Sequence, residues 1–131
     1  MKSPRDQDVA DWLAKAHDDL RVAELVEPHG LVDAVGFHAQ QAAEKYLKAL
    51  LVARNQNVPR THDLERLVDE CRQCGIPLPA EIDEAAMFLT PFAVLSRYPG
   101  WGSIAGSDAQ RALALANEIR AFALSILAPA H

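Results

Sequence analysis

Apolar residues recur at every third or fourth position along this chain, which is the period of an amphipathic α-helix. Proline, glycine or asparagine follows each such segment, and no stretch alternates apolar and polar residues as a half-buried strand would. The connections between the segments are short, which favours antiparallel neighbours. The pattern predicts an all-α, up-and-down antiparallel bundle of four main helices and one short helix, the fourth. Their predicted bounds are about 5–26, 31–55, 63–74, 79–89 and 108–127.

The second helix is predicted to lie at the centre of the bundle. Residues 37–51 contain no glycine or proline and are rich in strong helix formers. Phe37 and Leu51 are expected on the far side of the helix, next to Glu44. A helix that is apolar over most of its circumference is usually contacted from more than one side. Its main apolar face consists of Val35, Ala39, Ala42, Ala43, Tyr46, Leu50 and Ala53.

A polar stripe runs beside that apolar face at helical spacing. It consists of His38, Gln41, Lys45 and Lys48. One interpretation is a groove for phosphate or base groups, in which the lysines supply charge and the other two side chains supply hydrogen bonds. The other interpretation is a network between helices, with His38 bonded to a neighbouring helix and Glu44 paired with Lys48. The residues alone leave both interpretations open.

Two helix starts have recognisable capping residues. Ser3 is suited to the N-cap of the first helix, with Pro4 and Asp6 in its first turn. Ser107 and Gln110 have the spacing of a capping box, so the last helix is expected to begin there.

The segment between the fourth and last helices is predicted to be irregular, because proline and glycine are concentrated in it. It nevertheless carries several large apolar residues: Phe92, Val94, Leu95, Tyr98 and Trp101. A loop this apolar is packed on something or forms an interface. Together with Phe37 and Leu51, it predicts a homodimer.

Length and charge narrow the function classes. The chain has 131 residues and a net charge of −5, so we expect a single domain, 1–131, with its core at about 5–127. Nucleic-acid binders are more often basic, so any nucleotide or RNA contact requires a local basic patch. The acidic residues of the first helix are predicted to form a solvated face.

The chain is expected to be cytoplasmic and without contact to a membrane. No apolar run reaches the roughly 18 residues that a transmembrane helix needs, and the first residues do not resemble a signal peptide. The two cysteines, Cys71 and Cys74, do not make a disulfide framework, and a reducing cytosol is the default.

The CxxC spacing of Cys71 and Cys74 is predicted to be structural. A zinc site needs about four ligands and a redox pair wants a thioredoxin-like context, and the sequence has neither. Phosphate loops, dinucleotide fingerprints and readable Ser or Cys nucleophiles are also missing. We therefore expect no metal, no cofactor and no catalytic residue.

Several segments together resemble the HEPN domain. They are residues 37–45, beginning Phe-His-Ala-Gln-Gln, residues 47–51, Thr61-His62-Asp63-Leu64, and Arg97-Tyr98-Pro99 before the last helix. The resemblance covers about residues 9–127. It implies a helical bundle that is often a homodimer in the cytosol of a bacterium or archaeon. It also implies a nucleotide-binding role and a minimal nucleotidyltransferase partner in a toxin–antitoxin-like couple.

Many HEPN proteins are metal-independent ribonucleases whose signature is an Arg, then four to six residues, then a His, near the start of the last helix. Arg97 matches that Arg, but the next histidine is His131. RNA cleavage needs a proton-transfer group beside the cation that binds the phosphate. The departure favours a non-catalytic nucleotide-binding or interaction module. The alternative is a ribonuclease toxin in which His38 or His62 lies near Arg97. The expected ligand-binding residues are His38, Gln41, Lys45, Lys48, Arg97 and Tyr98.

Overall fold

Helices account for most of residues 3–95 and 105–128, which are the residues that the computed structural model describes. These residues contain no strand. The all-α bundle predicted from the sequence is therefore confirmed. A short 3-10 turn, Glu27–His29, follows the first helix. The helices are α1 (Pro4–Val26), α2 (Val32–Ala53), α3 (Leu64–Gln73), α4 (Ala80–Leu89), α5 (Phe92–Leu95) and α6 (Gly106–Leu127).

Helix α2 is the central element, as predicted. It packs most extensively against α1 and α6, and it also contacts α3, α4 and α5. Thirteen of its 22 residues are buried, so neighbours cover it on nearly every side. Leu51, which was expected on the far side of the helix, is only 1% exposed and belongs to the core. The side of α2 that carries Leu51 is therefore covered within the chain, because Leu64, Leu67 and Cys71 of α3 belong to the same core cluster.

Helices α1 and α2 run antiparallel, and small residues let them approach closely. Contacts between them pair Trp12 with Lys48 and Asp19 with His38, so that positions rise on one helix as they fall on the other. Alanines occupy the contact surfaces of α1, α2 and α6. The fully buried ones include Ala16, Ala23, Ala39, Ala42, Ala43, Ala112, Ala116 and Ala123.

The N-terminal cap of α1 is as predicted, whereas that of α6 is not. Ser3 Oγ accepts a hydrogen bond from the Asp6 backbone N–H at 3.1 Å, and the reciprocal bond completes a capping box. Helix α6 begins at Gly106 with Ala105 as its N-cap, and no side chain caps it. Ser107 lies inside the first turn, where its hydroxyl cannot act as the N-cap. The predicted capping box is therefore wrong.

The segment predicted to be irregular begins with the short helix α5. Phe92 is 6% exposed, and its ring lies against the backbone of α2 at Gly36. Residues 96–104, which include Arg97 and Tyr98, lie outside the described residues.

Among the described residues, no helix combines the length and the apolar character needed to cross a lipid bilayer.

Candidate functional site

Two residues of the polar stripe, His38 and Lys45, contact an acidic residue of α1. His38 Nδ1 lies 2.9 Å from Asp19 Oδ1, and Lys45 Nζ forms an ion pair with the other oxygen, Oδ2. The three side chains are 28%, 21% and 14% exposed for His38, Lys45 and Asp19, so solvent reaches all of them. We call these three residues the Asp19 cluster. It links α1 to α2 and leaves one imidazole and one ammonium group partly accessible.

A third residue of the stripe, Lys48, contacts a buried carboxylate on α2. Glu44 Oε2 accepts a hydrogen bond from Lys48 Nζ at 2.9 Å, and its Oε1 lies 2.7 Å from His62 Nδ1. The side chains of Glu44 and Lys48 are 5% and 8% exposed, whereas His62 is 57% exposed. The Lys48 ammonium lies 5.7 Å from the centre of the Trp12 ring, a cation–π distance. We call these residues the Glu44 cluster.

Two glutamines lie next to the Glu44 cluster. Gln41 donates to Gln40 Oε1 at 2.7 Å. Gln40 is fully buried and donates to the His62 carbonyl at 3.2 Å and to Glu44 Oε1 at 3.3 Å. These bonds tie the loop before α3 to the middle of α2. Gln41 is therefore half-buried beside Gln40, and it is not part of the Asp19 cluster.

The structure thus divides the predicted stripe between two clusters. His38 and Lys45 lie in one, Lys48 lies in the other, and Gln41 lies beside the second. Arg97 and Tyr98 are not among the described residues. The contacts expected for a network between helices are present, since His38 bonds to α1 and Glu44 pairs with Lys48.

Sequence reasoning missed Asp19 and Gln40 as members of these networks. The acidic residues of α1 were predicted to be solvated, but Asp19 is only 14% exposed and bridges two cationic side chains. The sequence feature that could have indicated the position of Asp19 is the short turn near residue 29. Positions equally far from a tight turn face each other in an antiparallel pair, which would have placed Asp19 opposite about residue 39.

Both clusters contain an imidazole held by a carboxylate. Asp19 and Glu44 each contact an Nδ1, on His38 and His62 respectively, which fixes the ring orientation and leaves Nε2 for another partner. Within residues 3–95 and 105–128, no group of three or more His, Cys, Asp or Glu side chains is arranged to hold a metal ion. The chemistry available here is hydrogen bonding and charge pairing by lysine and histidine.

Comparisons with known proteins agree on one family. The HEPN domain matches residues 9–127 of this chain. The crystal structure of TT1696 from Thermus thermophilus is similar to it, with 32% identity and a TM-score of 0.81 over 89% of this chain and 96% of that one. The crystal structure of ST0689, described as an archaeal HEPN homologue, has 27% identity and a TM-score of 0.75 over 95% and 98% of the two chains. No match was found among curated proteins.

Proposed function

Because this chain belongs to the HEPN domain family, we propose that it is a non-catalytic module that binds a nucleotide. We further propose that it acts as a homodimer with a minimal nucleotidyltransferase partner, in a toxin–antitoxin-like couple. The ribonuclease signature is incomplete, since no histidine follows Arg97 before His131. That gap in the sequence is why binding is preferred to catalysis.

The observation that carries the nucleotide proposal is the Asp19 cluster. His38 and Lys45 converge on the two oxygens of one carboxylate and remain partly open to solvent. A phosphate group presents similar acceptor oxygens and carries more negative charge. In this proposal Asp19 occupies the position of the phosphate until a nucleotide displaces it, with Gln41, Lys48, Arg97 and Tyr98 as further contacts.

Substitution of Asp19 separates a binding cluster from a purely structural one. Asp19→Asn removes the competing negative charge, so nucleotide affinity should rise by about tenfold, which corresponds to about 1.4 kcal/mol. Lys45→Gln should lower the affinity by a similar factor. Isothermal titration calorimetry with ATP measures both changes. Lys15→Gln, on the exposed side of α1, is the matched control and should leave the affinity unchanged. Equal affinity in all four proteins would exclude the Asp19 cluster as the nucleotide site.

The partner half of the proposal has its own experiment. The reading frame beside this one should encode a minimal nucleotidyltransferase, and co-expression of the two chains should yield a complex that co-elutes on size exclusion. A neighbouring nucleotidyltransferase that elutes separately at micromolar concentration would contradict the proposed pairing. This result does not depend on the calorimetry, so the two halves of the proposal can fail separately.

One observation favours the ribonuclease alternative. The carboxylate–imidazole pairs Asp19–His38 and Glu44–His62 have the arrangement by which a carboxylate orients a general base. Mixed RNA incubated with the protein in EDTA tests this alternative. Cleavage that is lost in Arg97→Ala, and in either His38→Ala or His62→Ala, would establish a ribonuclease. Intact RNA after incubation with the wild-type protein would support the non-catalytic proposal.

A further inference from the structure

A third polar cluster lies where α1, α2 and α6 meet, apart from both clusters of the stripe. Tyr46 is fully buried, and its hydroxyl oxygen lies 2.5 Å from His17 Nδ1. The two rings meet edge to face with their centres 5.4 Å apart. Arg120 of α6 lies near the same hydroxyl, and its positive charge acts to lower the pKa of Tyr46 against the larger effect of burial. The buried phenol therefore contacts an imidazole from α1 and lies near a guanidinium from α6.

These contacts fix the proton positions. Burial and the nearby Arg120 lower the pKa of His17, so its ring is neutral at pH 7. Burial raises the pKa of Tyr46 to about 12, so the phenol keeps its proton. The positive charge of Arg120 favours the lone pairs of the Tyr46 oxygen over its proton, so the phenol directs its proton to His17 Nδ1. The remaining N–H of His17 is then on Nε2, away from Tyr46.

The same residues border a surface groove of about 630 Å³ between α1 and α6. His17 is exposed there, and Arg21 has no ion-pair partner among the described residues. The groove thus presents two guanidiniums and one imidazole N–H, together with two carboxylates. Its polar lining consists of His17, Asp18, Arg21, Glu24, Asn117 and Arg120.

From this lining we propose that the groove binds a phosphorylated ribose. Arg21 and Arg120 pair with the phosphate, His17 Nε2–H donates to a phosphate oxygen, and the carboxylates of Asp18 and Glu24 accept from the sugar hydroxyls. Tyr46 is a positioning residue, because it is fully buried and acts through its contact with His17, not on the ligand. This proposal does not depend on nucleotide binding at the Asp19 cluster.

The charge balance of the groove decides between kinds of phosphate ligand. Two positive and two negative side chains line it, so a long polyanion such as an RNA backbone would be repelled by Asp18 and Glu24. A small ligand that carries one phosphate and several hydroxyl donors satisfies both signs of charge. The groove's volume also lies in the range of small-molecule sites, about 300–1,000 Å³.

The experiment is a titration of the protein with ribose 5-phosphate, observed through the imidazole ¹H–¹⁵N resonances of His17. Those resonances should shift and saturate below about 10 mM, the weak end of measurable specific binding. Arg21→Gln and Arg120→Gln should each weaken binding by at least about tenfold. AMP is titrated in parallel, and the tighter of the two ligands shows whether a free sugar phosphate or a nucleotide is preferred.

Controls keep the proposal falsifiable. Arg66→Gln, which removes one positive charge from α3, should bind like the wild-type protein. The Arg21 side chain makes no hydrogen bond to another described residue, so its variant remains informative if Arg120→Gln is unstable. Tyr46→Phe removes the hydroxyl that selects one tautomer of His17. The ¹⁵N spectrum of this variant should therefore show a mixture of the two neutral tautomers, and ligand binding should be weaker. His17 resonances that do not respond to either ligand, or that respond equally in Arg21→Gln and wild type, would overturn the proposal.

Discussion

Glu44 illustrates how single residues behave in this bundle. A buried carboxylate is costly unless it is paired and hydrogen-bonded. Glu44 is 4% exposed, and Lys48, His62 and Gln40 all contact its oxygens. Lys48 is itself buried and has Glu44 as its ion-pair partner. The two charges therefore depend on each other, and neither can be removed alone without cost.

Removal of one charge from this pair should be far more damaging than removal of both. Glu44→Leu leaves the Lys48 ammonium buried without a counter-charge and should cost about 3–5 kcal/mol of unfolding free energy. Adding Lys48→Met to the same chain should recover most of that loss. Urea denaturation followed by circular dichroism measures both values. A loss below about 1 kcal/mol in Glu44→Leu would mean that Lys48 reaches water.

The two cysteines should differ sharply in reactivity. Burial, with smaller contributions from Cys74 and Glu70, raises the pKa of the Cys71 thiol to about 12. At about pH 8 only about one Cys71 thiol in ten thousand is then ionised, and the thiolate is the reactive form. Iodoacetamide should label the half-exposed Cys74 in the folded protein and Cys71 only after unfolding, as read by mass spectrometry. Equal labelling rates for both in the folded protein would contradict this assignment.

At the scale of elements, the turn between α3 and α4 is held by one arginine. Gly75 has φ +93°, and the Ile76 N–H bonds to the Cys71 carbonyl in the pattern of a Schellman cap. Arg72 then donates to the Leu78 carbonyl at 3.0 and 3.1 Å. It also pairs with Asp83 at 2.7 and 2.8 Å, so one side chain fixes both the turn and the start of α4.

The ion pair between Arg72 and Asp83 should make the free energy of unfolding depend on pH in the acidic range. The hydrogen bonds from Arg72 lower the pKa of Asp83 below its ordinary value of 3.8. Their stabilising contribution is therefore complete above about pH 4 and is lost as the pH falls through the folded-state pKa. The two side chains are 33% and 47% exposed, so the contribution should be at most about 1 kcal/mol.

Asp83→Asn tests this dependence. Its unfolding free energy should lie below that of the wild-type protein at about pH 7, and the difference should shrink at about pH 2. Glu81→Gln, an exposed carboxylate on the same helix turn, is the control and should not change the acid dependence. If the difference in unfolding free energy between the wild-type protein and Asp83→Asn stays constant with pH, Asp83 is unpaired in solution.

The contact between α2 and α5 depends on the absence of a side chain at Gly36. A Cβ atom built there would lie 2.8 Å from Cδ1 of Phe92, closer than carbon atoms approach. Gly36→Ala should therefore destabilise the protein by about 1–2 kcal/mol, although alanine alone would favour the helix by about 1 kcal/mol. Thermal unfolding measures the change. Adding Phe92→Leu should relieve the clash, and a more stable Gly36→Ala single variant would contradict the packing described here.

At the scale of the whole molecule, the structure removes one of the residues on which the prediction of a homodimer was based. Leu51 is in the core and cannot contribute to an interface. Several large apolar side chains remain exposed on the described surface, and one of them, Val94 of α5, 50% exposed, belongs to the segment that was predicted to form an interface. Among the residues that the structure describes, the other large exposed apolar side chains are Val22, Leu25, Leu31 and Met87.

Sedimentation equilibrium at high micromolar concentration should give about twice the chain mass of 14.3 kDa. Val94→Lys should shift the protein toward the monomer, because a charge buried in an apolar interface is costly. Val22→Lys, which places the same charge on an exposed apolar position of α1, is the matched control and should leave the dimer intact. A wild-type protein that sediments only at 14.3 kDa would remove the prediction.

The helical period of the apolar residues determined most of the fold. It predicted α1, α2, α3, α4 and α6 to within a few residues, and it identified α2 as central because that helix has few polar positions to turn toward water. The four-residue helix α5 was missed, because so short a segment has no period and is stabilised by the packing of Phe92 on Gly36. The capping box at Ser107 was wrong, because such a spacing does not determine where a helix begins.

The tertiary structure alone decided what the polar residues do. The sequence placed His38, Gln41, Lys45 and Lys48 on one stripe, but partners from other elements divided them: Asp19 from α1, and His62 from the loop before α3. The same is true of His17, Tyr46 and Arg120, which come from three helices and have no shared pattern in the chain. Hydrophobic burial is set by local periodicity and can be read along a sequence. Hydrogen bonds and ion pairs require atoms about 3 Å apart, which only the relative placement of helices provides.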